Sequence, residues 1–244
     1  AVGEHARSVR EALKLRRHIH LEPRVQGLQP AAASRRFPSY LAPAMTQLPE
    51  LPLTLSRQEI RKMIRQRRRA LTPEQQQEMG QQAATRMMTY PPVVMAHTVA
   101  VFLSFDGELD TQPLIEQLWR AGKRVYLPVL HPFSAGNLLF LNYHPQSELV
   151  MNRLKIHEPK LDVRDVLPLS RLDVLITPLV AFDEYGQRLG MGGGFYDRTL
   201  QNWQHYKTQP VGYAHDCQLV EKLPVEEWDI PLPAVVTPSK VWEW

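Results

Sequence analysis

Leu172-Asp173-Val174-Leu175-Ile176-Thr177 is a near-continuous apolar run, and a short connection leads from it into Asp183-Glu184-Tyr185-Gly186-Gln187-Arg188-Leu189-Gly190-Met191-Gly192-Gly193-Gly194-Phe195-Tyr196-Asp197. The run predicts a strand covered on both faces of a sheet. The glycine stretch predicts a turn into a helix over residues 194–206. Residues 98–104 (TVAVFLS) repeat the strand pattern with branched side chains. Further strands are expected at residues 124–130, 138–142, 209–213 and 234–237. A helix is expected over residues 111–121, with Gly122 as its terminator. Strands separated by helices imply an α/β fold: a three-layer α/β/α (Rossmann-like) domain around a mostly parallel sheet.

Two helices stand ahead of this alternation. From Ser56, Ile60 and Ile64 mark an apolar face, while Arg57, Arg61 and Arg65 recur four apart on a neighbouring one. Thr72-Pro73-Glu74-Gln75 restarts the chain, with Thr72 as N-cap, Pro73 at the first helical position and Gln75 three residues after the cap. The second helix runs to about Met88, and Tyr90-Pro91-Pro92 ends it.

The 244 residues carry a formal charge of +4 and a pI near 9.2, which first suggests an anionic partner. The charge is uneven. Residues 1–44 hold eight bases against three acids, a net of +5, and the remainder holds 21 bases against 22 acids. Residues 1–44 contain no Met, and their four prolines and few large apolar side chains predict disorder. We expect this segment to be a basic extension outside the native protein, which would then begin at Met45; a transit peptide and a nucleic-acid-binding arm are the competing readings. Residues 45–244 are expected to form a single α/β domain. One cysteine, Cys217, excludes an internal disulfide framework and any CxxC zinc site. No apolar run is long enough for a membrane span, and a cytoplasmic monomer is expected.

Of twelve glycines, five lie in residues 183–197 and four of these within residues 190–194. Glycines let backbone N–H groups approach an anion, and a helix N-terminus adds partial positive charge. A plain tight turn is the alternative. Arg188 suits bidentate phosphate binding. No GxxxxGK[ST] or GxGxxG pattern is present. Asp197 has two readings, as a helix-dipole partner or as a magnesium ligand. Glu108 falls in the loop after the first strand, on the sheet edge where ligands bind, and also suits the next helix's N-terminus. The Arg57/Arg61/Arg65 stripe reads first as a solvated face. No zinc-finger, RRM or helix-turn-helix signature accompanies it, and no HExxH or GxSxG motif occurs.

Taken together, the run at 183–197, Phe102-Leu103-Ser104 with Glu108, Glu158-Pro159, and Gly212-Tyr213-Ala214 with Gln218 and Leu223-Pro224 resemble the 5-formyltetrahydrofolate cyclo-ligase family. The resemblance covers residues 56–237, with Phe195 in place of the family's first Tyr. It implies an ATP- and Mg²⁺-dependent conversion of 5-formyltetrahydrofolate to 5,10-methenyltetrahydrofolate, with release of ADP and phosphate. It implies that Arg57, Arg61, Arg188, Gly190, Gly192, Gly193, Gly194, Phe195 and Tyr196 hold ATP, and that Tyr196 and Arg188 lie at the transferred group. Leu103 and Glu108 would contact the folate, and Asp197 and Asp229 would bind Mg²⁺. The competing readings are a sugar-phosphate isomerase or acyl-transferring enzyme of related architecture, and a basic nucleic-acid-binding protein. The near-neutral charge of residues 45–244 argues against nucleic acid.

Overall fold

The computed structural model describes residues 55–244, and the expectation for residues 1–44 lies outside them. Helix α1 spans Arg57–Arg69. Ser56 opens it with a reciprocal cap: its hydroxyl accepts from the Glu59 N–H at 3.2 Å, and the Glu59 carboxylate accepts from the Ser56 N–H at 2.7 Å. Helix α2, Pro73–Thr89, starts with the expected Thr72–Gln75 box, at 3.1 and 2.9 Å. Tyr90 ends α2 and begins the short α3, Pro91–Met95, so the two prolines open a new helix as well as closing the old one.

The remaining elements are β1 (Thr98–Ala100), α4 (Gln112–Arg120), β2 (Arg124–Leu130), β3 (Leu138–Tyr143), β4 (Leu149–Met151), β5 (His157–Pro159), β6 (Val166–Leu167), β7 (Val174–Thr177), β8 (Ala181–Asp183), β9 (Arg188–Leu189), α5 (Phe195–Leu200), β10 (Gln209–Tyr213), β11 (Leu219–Val220), β12 (Ala234–Val236) and β13 (Val241–Glu243). Gly122 follows α4 at φ +74°, the left-handed stop expected of it.

One eight-stranded sheet has the order β13-β12-β10-β7-β1-β2-β3-β6. Its middle, β12-β10-β7-β1-β2, is parallel, while β13 at one edge and β3 and β6 at the other run antiparallel. The expected mostly parallel sheet is therefore a mixed sheet with a parallel centre. Strand β7 is buried at all four positions, which is why its sequence is apolar throughout.

Along β1 and β7 successive residues point to opposite cores. Val99, Val174 and Ile176 join α2, α3 and α4 in one cluster. Ala100 and Leu175 join Leu200 of α5, Phe182 of β8, Leu219 and Leu232 in another. A layer of helices covers the first face only. The second is covered by α5, connecting segments and the small β11-β8-β9 sheet, on which Ile60 and Ile64 of α1 pack. Helix α5, short strands and loops thus stand on the side where alternation leads to the expectation of a second helical layer.

Two boundaries differ from expectation. Strand β1 ends at Ala100: Val101 still donates to the Tyr126 carbonyl at 2.9 Å, and the Phe102 carbonyl then accepts from the Thr111 hydroxyl at 2.7 Å. The helix expected over residues 194–206 stops at Leu200, and Asn202 at φ +60° separates it from a single 3-10 turn. Among the described residues no helix is long and apolar enough to cross a membrane.

Candidate active site

From β1 the chain crosses to β2 on one side, while β7, β10 and β12 succeed one another on the other. The switch between β1 and β7 leaves a crevice beyond their carboxyl ends, where open α/β sheets bind ligands. A cleft of about 500 Å³ lies there. It is reached by Leu103 and Glu108 after β1, by Arg57 and Arg61 of α1, and by Arg188, Gly190, Gly192, Gly193, Gly194, Phe195, Tyr196 and Asp197. Every residue expected in the site lines this cleft except Asp229, which stands behind Arg57.

The glycine loop is aimed by the hairpin before it. The buried Asp183 carboxylate accepts three backbone N–H groups, from Tyr185, Gln187 and Leu223, at 2.9–3.0 Å. Gly186 completes the turn at φ +79°; a Cβ there would sit 2.8 Å from the Leu232 carbonyl oxygen. These two residues of the motif shape the backbone that carries Arg188. Arg188 is 4% exposed and bonds Asp197 Oδ1 at 2.7 Å, and the Ile230 N–H donates to the same oxygen at 3.2 Å.

Two arginines pin the loop itself. Arg61 Nε donates to the Gly190 carbonyl at 2.7 Å. Arg198 donates to the Gly193 carbonyl and, at 2.7 Å, to that of Gly136, with its guanidinium over the Phe195 ring. Sequence reasoning assigned Arg198 no role, because its partners are carbonyls that no motif reveals. Helix α5 has only six residues, so its dipole is small, and glycine N–H groups and arginines form the cationic side of the cleft. Burial, then the neighbouring Arg57 and Arg65, lower the Arg61 pKa. A bound anion would relieve that crowding.

Apolar side chains also line the cleft, among them Leu127, Leu154, Ile156 and Phe105. Leu154 and Ile156 lie between β4 and β5, a hairpin of three-residue strands too short to show a period in the sequence. Its Glu158 reaches the cleft and accepts from the Leu130 N–H and from Asn152 Nδ2, both at 3.0 Å. Glu108 accepts from the Phe105 N–H at 3.1 Å, and burial pushes its carboxyl up to about 7. Burial and the nearby Glu108 push the Tyr196 phenol up as well, so it remains a proton donor at neutral pH.

Among the described residues no three His, Cys, Asp or Glu side chains gather into a metal cage. The carboxylates do suit a magnesium ion that arrives with phosphate, since such ions use only one or two protein carboxylates. Asp197 lines the cleft with both its hydrogen bonds on one oxygen. Asp229 fits less directly: its two oxygens bond Arg57 at 2.5 and 2.9 Å, and the Glu226 N–H adds a third contact.

The model of the 5-formyltetrahydrofolate cyclo-ligase family matches residues 54–238. A 5-formyltetrahydrofolate cyclo-ligase of Haemophilus influenzae is 53% identical over 179 residues, covering 73% of this chain and 96% of that one. A 5-formyltetrahydrofolate cyclo-ligase of Mus musculus is 26% identical over 72% of this chain and 91% of its own. The solution structure of Aquifex aeolicus 5,10-methenyltetrahydrofolate synthetase superposes with a TM-score of 0.67 at 28% identity, covering 78% of this chain and 93% of that one. With the motif run seated in one cleft and the match spanning nearly all the described residues, the chain belongs to the 5-formyltetrahydrofolate cyclo-ligase family of enzymes.

Proposed function

We propose that the chain converts 5-formyltetrahydrofolate to 5,10-methenyltetrahydrofolate with ATP and Mg²⁺, releasing ADP and phosphate. The observation that carries this reading is one cleft lined both by the glycine loop with Arg57, Arg61 and Arg188 and by apolar side chains with the buried Glu108. A nucleotide's phosphates suit the first group, and a flat heterocycle with N–H donors suits the second.

The formyl oxygen attacks the γ-phosphorus and ADP leaves. N10 then attacks the activated formyl carbon, the N10 proton is lost, and phosphate departs in place of an unactivated oxygen. Such chemistry needs positioning and charge neutralisation rather than a protein nucleophile. Arg57, Arg61, Arg188 and the N–H groups of Gly190, Gly192, Gly193 and Gly194 hold the phosphates, with Phe195 beside them. Tyr196 donates a hydrogen bond near the transferred group. Leu103 packs against the pterin, and Glu108 accepts from its N–H groups.

Asp197 and Asp229 are the carboxylates for Mg²⁺, with Asp229 available only where Arg57 exchanges it for phosphate. When bound, the ion neutralises phosphate charge. The near-neutral net charge of residues 45–244 and the paired arginines of the cleft favour ATP over nucleic acid as the anionic partner.

The test is the appearance of the methenyl chromophore from 5-formyltetrahydrofolate with ATP and Mg²⁺. Absence of turnover would end the reading, and turnover without ATP would refute the mechanism.

A further inference from the structure

The loop that carries Glu108 is held by the end of α1 remote from Arg57 and Arg61. Asp106 lies at φ +52°, a region Asp tolerates better than most residues. Its carboxylate faces three guanidiniums of the last turns of α1. Arg69 donates to Oδ1 at 2.6 Å, while Arg68 and Arg65 lie 3.6 and 3.9 Å from Oδ2. Gly107 follows at φ +75°, so close to α1 that a Cβ would sit 3.2 Å from the Arg68 carbonyl carbon. The Gly107 carbonyl accepts from Gln76 Nε2 at 3.1 Å and faces His215 Nε2 at 3.2 Å. Glu108 then closes the turn on the Phe105 N–H.

Exposed ion pairs are worth little, but Arg68 is 2% exposed and Asp106 is the acid its salt bridge reaches. Asp106 is not among the residues that line the cleft.

We propose that Asp106 is a positioning residue for Glu108: it clamps the turn to α1, so one helix sets both the phosphate-binding arginines and the folate-binding carboxylate. The proposal rests on the reading of Glu108 as a folate contact. A displacement on the order of 1 Å in a positioned group costs up to about a hundredfold in rate, so a loose clamp is expected to show in folate use.

A double-mutant cycle tests this, using the full chain as wild type, Asp106→Asn, Glu108→Gln and the double variant. Asn keeps the tolerance for positive φ and loses the charge. Asp106→Asn is expected to lower kcat/KM for 5-formyltetrahydrofolate about tenfold in the wild-type background and less than twofold beside Glu108→Gln, with the KM for ATP within twofold throughout. An equal loss in both backgrounds, or a parallel rise in the KM for ATP, overturns it by making Asp106 a general structural residue. Glu108→Gln with unchanged folate use also overturns it, by removing Glu108 from the substrate. The same cycle read on the dissociation constant of 5-formyltetrahydrofolate without ATP decides the proposal even if the chain does not turn over, so the proposed reaction and this inference fail separately.

Discussion

Asp229 grips Arg57 through both carboxylate oxygens, at 2.5 and 2.9 Å, across 172 residues of chain. The pair closes α1 onto the segment before β12 and sets the guanidinium at the mouth of the cleft. Asp229→Ala should remove the carboxylate that orients that guanidinium, and α1 loses its tie to the segment before β12. We expect the KM for ATP to rise about tenfold, or about 1.4 kcal/mol, with the folate KM little changed. Steady-state titrations of each substrate check this, and an equal rise in both constants would count against it.

Asp197 has a double duty, as partner of the buried Arg188 and as the carboxylate with an oxygen to spare. Asp197→Asn is expected to reduce turnover by about three orders of magnitude and to raise the Mg²⁺ concentration for half-maximal rate. Losing the charge beside Arg188 should also cost about 2 kcal/mol of stability. Unchanged activity and Mg²⁺ dependence would remove Asp197 from the metal, and unfolding curves report the stability effect.

The Glu108 carboxyl, raised by burial from 4.5 to about 7, gives two signed expectations. If the carboxylate accepts from the pterin, the folate KM should fall as pH rises through 7, and Glu108→Gln should abolish that slope. Between pH 4.5 and 7 the folded state holds the Glu108 proton more tightly than the unfolded state, so stability is lost as pH rises, by up to about 3 kcal/mol. His215 runs the other way. Burial depresses it from 6.5 to about 4, so its contribution is present above 6.5 and lost as pH falls through 4. The two nearly offset between pH 4.5 and 6.5. Glu108→Gln should therefore unmask a stability that rises with pH across that window, which denaturant melts at several pH values would detect; a flat profile in the variant would contradict it.

Gly192 sits at φ +105° beneath the Arg61 guanidinium, which would lie 3.7 Å from an added Cβ. Gly192→Ala forces a side chain into a conformation costing about 1–3 kcal/mol. The loop should shift, and the KM for ATP should rise by about tenfold or more. Gly122→Ala is the control, since Gly122 lies at φ +74° with nothing within 4 Å of a Cβ and outside the cleft. It should lose stability while keeping its ATP KM. If both variants bind ATP as before, the glycine loop does not hold the phosphates through its backbone.

The helix start at Ser56, the cap at Thr72, the stop at Gly122 and the buried strand Val174–Thr177 were legible because each depends on neighbours within four residues or on a plain apolar run. The short strands β8, β9 and β11 were not, since two or three residues give no period. They nevertheless help to cover the second face of the large sheet. In the site, the glycine run and its arginine marked from sequence a loop that lines the cleft, whereas the contacts of Asp183, Arg198 and Asp106 were invisible. Arg198 and Asp106 act on groups brought to them by the fold, and Asp183 joins its own turn to the distant Leu223 N–H.

The residue types and local order determined by themselves the α/β class, the starts of α1 and α2 and the stop of α4, and the family whose motifs the chain carries. These follow from short-range steric and hydrogen-bonding rules. Only the tertiary structure decided that the sheet is mixed, that Asp229 faces Arg57, and that Glu108 and Asp106 sit on opposite sides of one turn with only Glu108 lining the cleft. Those outcomes depend on which distant strands pair and where α1 packs. That choice is a balance of burial over the whole core, and no local segment encodes it.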